Sequence, residues 1–417
     1  MTASDTRGAI DAVWRIEAPR LIAGITRIVR DVGLAEDLAQ DALVAALEQW
    51  PAAGVPDNPG AWLMATAKHR AIDRLRRDQR LDRKHEQLGH QLEAEEHMAN
   101  ADLGAGRDDD DLLRLIFLSA HPVLTTDARV ALTLRLLGGL TTDEIARAFL
   151  VPEPTIAQHI VRAKRALAAG AVAFEVPEAS DLAERLGSVV QVIYLIFNEG
   201  YAATAGDDWM RAGLCEDALR LGRILAELAP AEPETHGLVS LMEIQASRAP
   251  ARVSETGEPI LLLDQDRGRW DRLLIHRGLA ALARAEALGA PAGSYVLQAE
   301  IAACHARAPT PGDTDWTGIV GYYDQLARIE RSPIVELNRA VAYGMGFGPA
   351  RALALVDALI GEPSLAGYHL LPSVRGDLLA KLGRSSEAHA EFERAAALAQ
   401  NARERAFLLR RAAECTQ

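Results

Sequence analysis

The sequence has little cysteine and no long apolar run. Its three cysteines, Cys215, Cys304 and Cys415, are far apart and odd in number. They form neither a disulfide framework nor a zinc-ligand pattern, and a reducing cytoplasm is the expected compartment. The densest apolar stretch, 189–197, is too short to cross a membrane. The N-terminal segment MTASDTRGAI has no basic start and no apolar block, so we expect no secretory signal and no membrane partner.

Patterns that carry catalysis or bind metals are also missing. Residues 264–268 faintly resemble a calcium loop, but the glycine comes one place early and Ile275 stands where glutamate is needed. Residues 198–201 have no neighbouring nucleophile, glycine-rich phosphate loop or metal pair. We therefore predict no catalytic residue, no metal and no cofactor. An enzyme with its active site in 177–417 is a disfavoured alternative, because that part offers no nucleophile–base pair.

The residues that are abundant favour several helical domains. A chain of 417 residues exceeds what one hydrophobic core normally organises, and alanine, leucine, arginine and glutamate favour helix throughout. The net charge of −13 is unevenly distributed, since 61–84 is mainly basic and 86–111 is mainly acidic. A concentrated basic stripe matters more to a polyanion than the whole-chain charge. The acidic total still predicts weak DNA binding by the protein alone, and hence a larger partner.

Residues 140–167 are predicted to form two short helices joined by a tight turn. Thr141 and Glu144 have the spacing of a capping box, and the segment 151–154 interrupts the helical pattern. The buried stripe of the second helix is predicted to be Ile156, Ile160, Ala163 and Leu167. Opposite it lie Gln158, Arg162 and Arg165. Amide and guanidinium groups presented in this way fit a major groove, although an ordinary helical hairpin with a solvated basic face is the alternative.

Two longer helices are predicted earlier in the chain. The first, 34–50, has an apolar face and an opposite face that carries Asp37, Gln40, Asp41 and Glu48. The second, 61–80, follows a proline- and glycine-containing loop at 51–60 and has a basic outer face. The acidic segment 86–111 is predicted to be a flexible linker.

From about Pro177 onward, helical segments recur between breaks that contain proline and glycine. Near the C-terminus, Gly376, Ala388, Phe392 and Ala395 have the small–large spacing of a tetratricopeptide-type helix pair. The repeat signal is poor between about 250 and 330. An α-solenoid is predicted, with the number of repeats left open.

The motifs GLAEDLAQDALVAALEQW (33–50) and PGAWLMATAKHRAIDRLRR (59–77) are followed in this chain by the segment from Leu132 to Leu167, with its VPE turn and RAKRAL ending. In this order they resemble the extracytoplasmic-function sigma factors, which are promoter-specificity subunits of bacterial RNA polymerase. The remainder, including VIYLIFNEGYAA, resembles a subgroup with a long tetratricopeptide-like C-terminal extension. The resemblance implies an all-α protein. Its domains would be a region 2 domain (9–85), the acidic linker (86–111), a region 4 helix-turn-helix domain (112–175) and a helical regulatory domain (177–417).

The resemblance also implies roles for residues. Polymerase binding is expected from Asp37, Gln40, Asp41 and Glu48. Contact with the promoter −10 element is expected from Trp62, Thr66, His69, Arg70, Asp73, Arg76, Arg77 and Arg80. Contact with the −35 element is expected from Gln158, His159, Arg162, Lys164 and Arg165, with His159 and Lys164 on phosphates. Asp57 and Asn58 in the loop are expected to help hold a flipped base, and the linker is expected to thread toward the polymerase active-site channel.

Each of these assignments has a plain structural alternative. A charged face is usually a solvated surface, and Trp62 alone is more often a packed anchor than a platform on which a base stacks. His69 stands where many relatives have asparagine, which leaves the exact −10 contact open.

The sequence is therefore compatible with two functions. The favoured one is a cytoplasmic sigma factor that has core RNA polymerase and promoter DNA as partners. Its C-terminal domain would modulate activity, either through a regulatory protein or through an intramolecular contact. The alternative is a stand-alone helix-turn-helix regulator with a tetratricopeptide sensor. Such a regulator needs neither 33–50 nor 59–77, so these two motifs favour the sigma factor.

Overall fold

A computed structural model describes residues 3–83, 105–149, 151–170, 172–202, 210–254 and 259–416. Within these ranges every extended regular element is a helix, and the only strand-like pairing is an isolated bridge between Val253 and Pro259. The α-helices are α1 (Ala3–Val29), α2 (Val32–Ala53), α3 (Pro59–Arg83), α4 (Ala105–Ser119), α5 (Thr126–Leu136), α6 (Thr142–Phe149), α7 (Glu153–Ala169), α8 (Ala179–Tyr201), α9 (Ala212–Leu228), α10 (Pro233–Ala246), α11 (Arg272–Ala287), α12 (Ser294–Arg307), α13 (Trp316–Ile329), α14 (Pro333–Phe347), α15 (Pro349–Asp357), α16 (Leu370–Lys381), α17 (Ser385–Leu398) and α18 (Ala402–Glu414). The all-α prediction is confirmed. Among the described helices, none is long and apolar enough to cross a membrane.

The chain divides into two compact units, Met1–Ile193 and Tyr194–Gln417. The sequence predicts a boundary near Pro177, just before α8 begins at Ala179, whereas the division between the units falls within α8. The first half of α8 is joined to the N-terminal unit, where Ser188 Oγ donates a hydrogen bond of 2.7 Å to the Ala120 carbonyl. Contacts of this kind cannot be read from composition, which explains the difference in boundary.

Helices α1, α2 and α3 pack around a core of small and large apolar side chains. Leu21, Ile25, Ala42, Trp50 and Leu63 are among its buried members. The Asp31 side chain caps α2 by accepting a hydrogen bond of 2.8 Å from the Leu34 amide. At the other end of α2, Gly54 has a φ of +87°, a conformation that side chains with a Cβ rarely adopt.

The predicted loop at 51–60 is shorter in the structure. Helix α2 continues to Ala53 and α3 begins at Pro59, so only 54–58 connect them. Proline at the first position of α3 is favourable because it has no amide hydrogen to leave unpaired. Asn58 precedes it, and its side-chain oxygen accepts a hydrogen bond of 3.0 Å from the Ala61 amide.

The end of the predicted acidic linker is helical. Helix α4 begins at Ala105, so 105–111 belong to a helix rather than to a flexible tether; 84–104 lie outside the described residues. Asp111 is buried at 2% exposure, and its carboxylate lies 2.8 Å from Arg27 Nε and 2.8 Å from Arg114 Nη1.

In the C-terminal unit, helices that are consecutive in the chain pack against each other, as in α-solenoid arrays. Helices α16 and α17 have the small–large contact that the sequence predicts. Ala388, Phe392 and Ala395 are buried. A Cβ added to Gly376 would lie 3.1 Å from the Phe392 ring, so the two helices approach closely at this glycine. Membership in the tetratricopeptide class stays a prediction.

Candidate nucleic-acid and protein interfaces

Helix α6 begins with the hydrogen bonds that the sequence predicts. The Glu144 amide donates to Thr141 Oγ1 at 3.1 Å, and the Thr141 amide donates to Glu144 Oε2 at 2.8 Å. This reciprocal capping box fixes the start of α6. Helix α7 follows after Pro152, with Ile156, Ile160, Ala163 and Leu167 all buried. The apolar side of α7 is therefore packed in the protein interior, which leaves its opposite side at the surface.

The outer face of α7 presents the polar residues that the sequence singles out. Gln158, Arg162 and Arg165 are exposed, and His159 is half-buried. Arg162 Nη2 donates to Gln158 Oε1 at 3.5 Å, so these two side chains extend side by side. Exposed guanidinium groups on a well-packed helix can form bidentate hydrogen bonds with guanine edges or contact phosphates.

Lys164 behaves differently from its neighbours on α7. Its Nζ lies 2.6 Å from Glu36 Oε2 on α2, and its side chain is 23% exposed. The sequence assigns Lys164 to a DNA phosphate. In this structure the ammonium group is instead engaged by a carboxylate of the same chain, because α2 and α7 belong to one compact unit.

Helix α3 carries the second predicted DNA surface. His69, Asp73, Arg76 and Arg77 are exposed along one side, while Arg70 is half-buried and its Nη1 lies 3.5 Å from Asp41 Oδ2 on α2. Arg77 Nε also donates to the Asp73 carbonyl at 3.1 Å. The side chain of Arg80 lies outside the described residues. The arrangement offers a basic ridge to a polyanion.

Two of the residues assigned to the −10 element are tied into the fold. Trp62 is half-buried, and its ring packs edge-to-face with that of Trp50 at a centroid distance of 5.3 Å. Thr66 is also half-buried, and its hydroxyl donates to the Trp62 carbonyl at 2.9 Å. The geometry of Trp62 agrees with the packed-anchor alternative, since its neighbour restricts access to the indole.

The acidic face of α2 is exposed where the sequence places the polymerase contact. Asp37, Asp41 and Glu48 are exposed. Gln40 is half-buried, and its Nε2 donates to Glu36 Oε1 at 2.7 Å. Three exposed carboxylates on one helix suit a basic protein surface. Among the described residues, no group of three or more histidines, cysteines and acids is placed to hold a metal.

Known proteins are similar to this chain in the same segments. Residues 14–81 match the sigma-70 region 2 family, and 114–167 match the sigma-70 region 4 family. The ECF RNA polymerase sigma factor SigC of Mycobacterium tuberculosis (strain CDC 1551 / Oshkosh) is 32% identical over 159 residues, which are 38% of this chain and 77% of that protein. The chain belongs to the extracytoplasmic-function sigma factors. It is an RNA polymerase sigma factor that acts in transcription initiation and carries a C-terminal extension.

Further relatives of this sigma factor divide by how much of the chain they cover. The ECF RNA polymerase sigma factor SigK of Mycobacterium ulcerans (strain Agy99) is 30% identical over 156 residues, 36% of this chain and 78% of that protein. The uncharacterized protein R00370 of Rhizobium meliloti (strain 1021) is 44% identical over 402 residues, 96% of this chain and 94% of that protein. Residues 185–286 match a family of unknown function, DUF6596. No solved structure matches the chain.

The sigma factor has one site that sequence analysis missed. Glu36 of α2 is 3% exposed and lies between two cations of the region 4 domain. Arg135 Nε lies 2.6 Å from Glu36 Oε1, and Lys164 Nζ lies 2.6 Å from Glu36 Oε2. Arg135 also donates from Nη1 to the Leu140 carbonyl at 3.1 Å. We call Glu36, Arg135 and Lys164 the interdomain ion cluster.

A signal for this cluster was present in the sequence. Glu36 comes four residues after Val32 and three before Ala39, so it lies on the apolar stripe of α2. A carboxylate on such a stripe must be paired when it is buried, because an isolated buried charge is costly. The identity of its partners could not be predicted, since they are distant in the chain.

Proposed function

We propose that α7 of this sigma factor binds the −35 element through Gln158, Arg162 and Arg165. The exposure of these three side chains above a buried apolar stripe is the observation that carries the proposal. Arginine pairs well with guanine and glutamine with adenine in the major groove. His159 is proposed to contact a phosphate, and Lys164 does so only when it is released from Glu36.

The basic side of α3 is proposed to engage the −10 element. Arg70, Arg76, Arg77 and Arg80 would neutralise phosphates. His69, Asp73 and Thr66 would lie near the bases, and the loop residues Asp57 and Asn58 would help to hold a base that has left the duplex. Because Trp62 is packed against Trp50, we propose it as the residue that positions α3, with at most its free edge reaching DNA.

The exposed carboxylates of Asp37, Asp41 and Glu48 are proposed to dock on a basic surface of core RNA polymerase, with Gln40 at the edge of the contact. Phosphodiester chemistry then belongs to the polymerase, and this chain supplies no catalytic group. The working compartment is that of the polymerase, the bacterial cytoplasm.

The compact N-terminal unit is proposed to open during this process. The −10 and −35 elements are centred roughly 25 base pairs apart, which is about 85 Å of B-form DNA at 3.4 Å per base pair. A compact unit of 193 residues has a diameter of about 40 Å. A closed unit therefore cannot place α3 and α7 on both elements at once. We infer that the interdomain ion cluster breaks when the promoter is bound, which exposes Glu36 and frees Lys164.

Reconstituted transcription tests the proposed function directly. Purified full-length protein is added to core polymerase, and transcripts from candidate promoters are sequenced. Initiation from a defined promoter, lost in the variant Arg162→Ala/Arg165→Ala, supports the proposal. If core enzyme gains no initiation while the protein alone shifts duplex DNA tightly, the stand-alone regulator is correct instead.

We also propose that the C-terminal unit modulates initiation and is required for it. A useful truncation must respect α8, because Arg185 Nη2 donates to the Phe117 carbonyl at 3.1 Å and Ser188 binds the Ala120 carbonyl. Truncation after Ala202 keeps these contacts. We expect the shortened protein to remain helical by circular dichroism and to lose promoter activation. Increased activity would show autoinhibition instead.

A further inference from the structure

The C-terminal unit contains a cluster of buried cations beside one tryptophan. Arg248 follows α10 and is 7% exposed, and Arg267 lies in a short 3-10 turn, 267–269, at 6% exposure. Their guanidinium carbons lie 5.3 Å and 5.1 Å from the centre of the Trp270 ring. His305 of α12 is also buried. The two arginines therefore share one aromatic neighbour while both are largely removed from water.

The charge of Arg267 is accommodated by the fold. Its Nη1 donates to the carbonyls of His305 at 3.0 Å and Ala308 at 2.6 Å, and its Nη2 donates to the Thr314 hydroxyl at 3.0 Å. Asp313 contributes a favourable field. Arg267 thus has a structural role, in which it joins its turn to the end of α12.

Among the described residues, Arg248 has no comparable set of acceptors. Its Nε is buried without a hydrogen-bond partner. Two of its neighbours are also cations: burial lowers the pKa of Arg252 and of Arg267, and the charge of Arg248 lowers both further. A buried charge normally has a partner of opposite sign, because desolvation is costly. The Arg248 guanidinium is thus a buried charge for which the described residues supply no partner of opposite sign.

Other polar atoms of the cluster are also unsatisfied. Trp270 Nε1 and Arg267 Nε are buried without acceptors, and both are obligatory donors. The pKa of His305 is lowered to about 3 by burial and by the two arginines, so its ring is neutral at pH 7 and adds no further charge. His305 Nδ1 is likewise buried without a partner, and it is a donor or an acceptor according to its tautomer. The cluster therefore combines two positive charges with unpaired Trp270 Nε1 and Arg267 Nε donors.

We propose that Arg248, with Trp270 and Arg267 beside it, forms an oxyanion-binding site in the C-terminal unit. The ligand class is a small molecule with a phosphate or carboxylate group, since a guanidinium fork matches either one with two parallel hydrogen bonds. An oxyanion would compensate the charge of Arg248 and accept hydrogen bonds from the neighbouring nitrogen atoms. The site goes beyond promoter recognition and does not depend on it. It would give the extension a ligand to which it can respond.

Calorimetry and thermal unfolding of the full-length protein test the site without any transcription assay. Inorganic phosphate and acetate are titrated separately at constant ionic strength, against wild type and Arg248→Met. We expect saturable heat with at least one of the two anions, and a rise in Tm with its concentration. Arg248→Met is expected to weaken that binding about tenfold or more, the equivalent of one lost charge-assisted hydrogen bond.

The control variant is Arg277→Met, which removes an exposed arginine from α11 and is expected to bind like wild type. Phosphate stabilises many proteins non-specifically, so only the difference between the variants is informative. Should Arg248→Met not fold, Arg248→Lys keeps the charge and loses the fork, and it is expected to weaken binding to a smaller degree. Equal responses of wild type and the Arg248 variants to both anions, or the absence of saturable heat, would overturn the proposal.

Discussion

The two units of this sigma factor use arginine in opposite ways. In the N-terminal unit, Arg162 and Arg165 are exposed on a helix. The buried arginines of the described residues, Arg248, Arg252 and Arg267, all lie in the C-terminal unit. Exposed arginines bind a polyanion with a strength that falls steeply with salt. Buried arginines are desolvated before any ligand binds, so they need acceptors within the fold, as Arg267 has, or a bound anion, as proposed for Arg248. The comparison predicts that charge removal affects binding in one unit and folding or small-ligand binding in the other.

The largest effect is expected at the most completely bonded buried arginine. Arg267→Met removes three hydrogen bonds and leaves the His305 and Ala308 carbonyls without a donor. We expect the free energy of unfolding to fall by about 3 kcal/mol, the scale of a broken buried charge network. Arg269→Met, two residues later and exposed, is the matched control and is expected to change stability by less than about 0.5 kcal/mol. Equal destabilisation by both would contradict the contrast between buried and exposed arginine.

The opposite pattern is expected on α7. Arg162→Ala/Arg165→Ala removes two exposed guanidinium groups, so Tm is expected to stay within about 2 °C of wild type. Promoter-dependent initiation is expected to fall about 100-fold, because each bidentate base contact is worth about 1–3 kcal/mol. The control Arg269→Ala/Arg277→Ala removes the same charge from the C-terminal unit. If that control loses activity equally, net charge and not the α7 surface governs binding.

The N-terminal surfaces could be predicted better than the C-terminal cluster, for a physical reason. The capping box of Thr141 and Glu144 and the buried stripe of α7 depend on neighbours within one or two turns, which a sequence displays directly. The bonds of Arg267 to the end of α12 depend on tertiary packing, which spacing does not encode. For that reason the sequence around Arg267 showed only an incomplete match to a calcium-binding loop and gave no sign of the contacts that Arg267 makes.

An intermediate effect is expected when His305, which lies beside the buried arginines, is titrated: the stability of the protein should depend on pH. His305 has a pKa of about 3 in the folded protein, lowered by burial and by Arg248 and Arg267, against about 6.5 in an unfolded chain. Between these values the unfolded state binds one more proton, so stability falls as pH decreases below about 6.5. The slope is about 1.4 kcal/mol per pH unit for one proton. Denaturant unfolding between pH 6 and 4.5 measures it, and His305→Phe is expected to reduce the slope; an unchanged slope would assign it to other groups.

The smallest effect is expected where an N-terminal cation has a partner. Lys164 is the exception among the α7 cations, because the interdomain ion cluster holds it 2.6 Å from Glu36. Glu36→Gln keeps the shape of the side chain and removes its charge, which frees Lys164 for DNA and weakens the closed arrangement. Since Arg135 and Lys164 keep 20% and 23% exposure, the cost of leaving them unpaired is moderate. We expect promoter-dependent initiation to rise about fivefold, a gain of about 1 kcal/mol.

The matched control for Glu36→Gln is Asp37→Asn, the next residue of α2, which is exposed and belongs to the proposed polymerase surface. Asp37→Asn is expected to lower initiation by weakening the contact with core polymerase. Removing the charge of Glu36 should therefore raise initiation, and removing the charge of its neighbour Asp37 should lower it. The double variant Glu36→Gln/Lys164→Gln separates the two contributions of the cluster. If opening alone accounts for the gain, the double variant keeps it; if the freed ammonium contacts DNA, the gain is reduced and its salt dependence falls by about one phosphate contact. A decrease in initiation with Glu36→Gln would mean that the cluster supports the active arrangement, and the proposed opening would then be wrong.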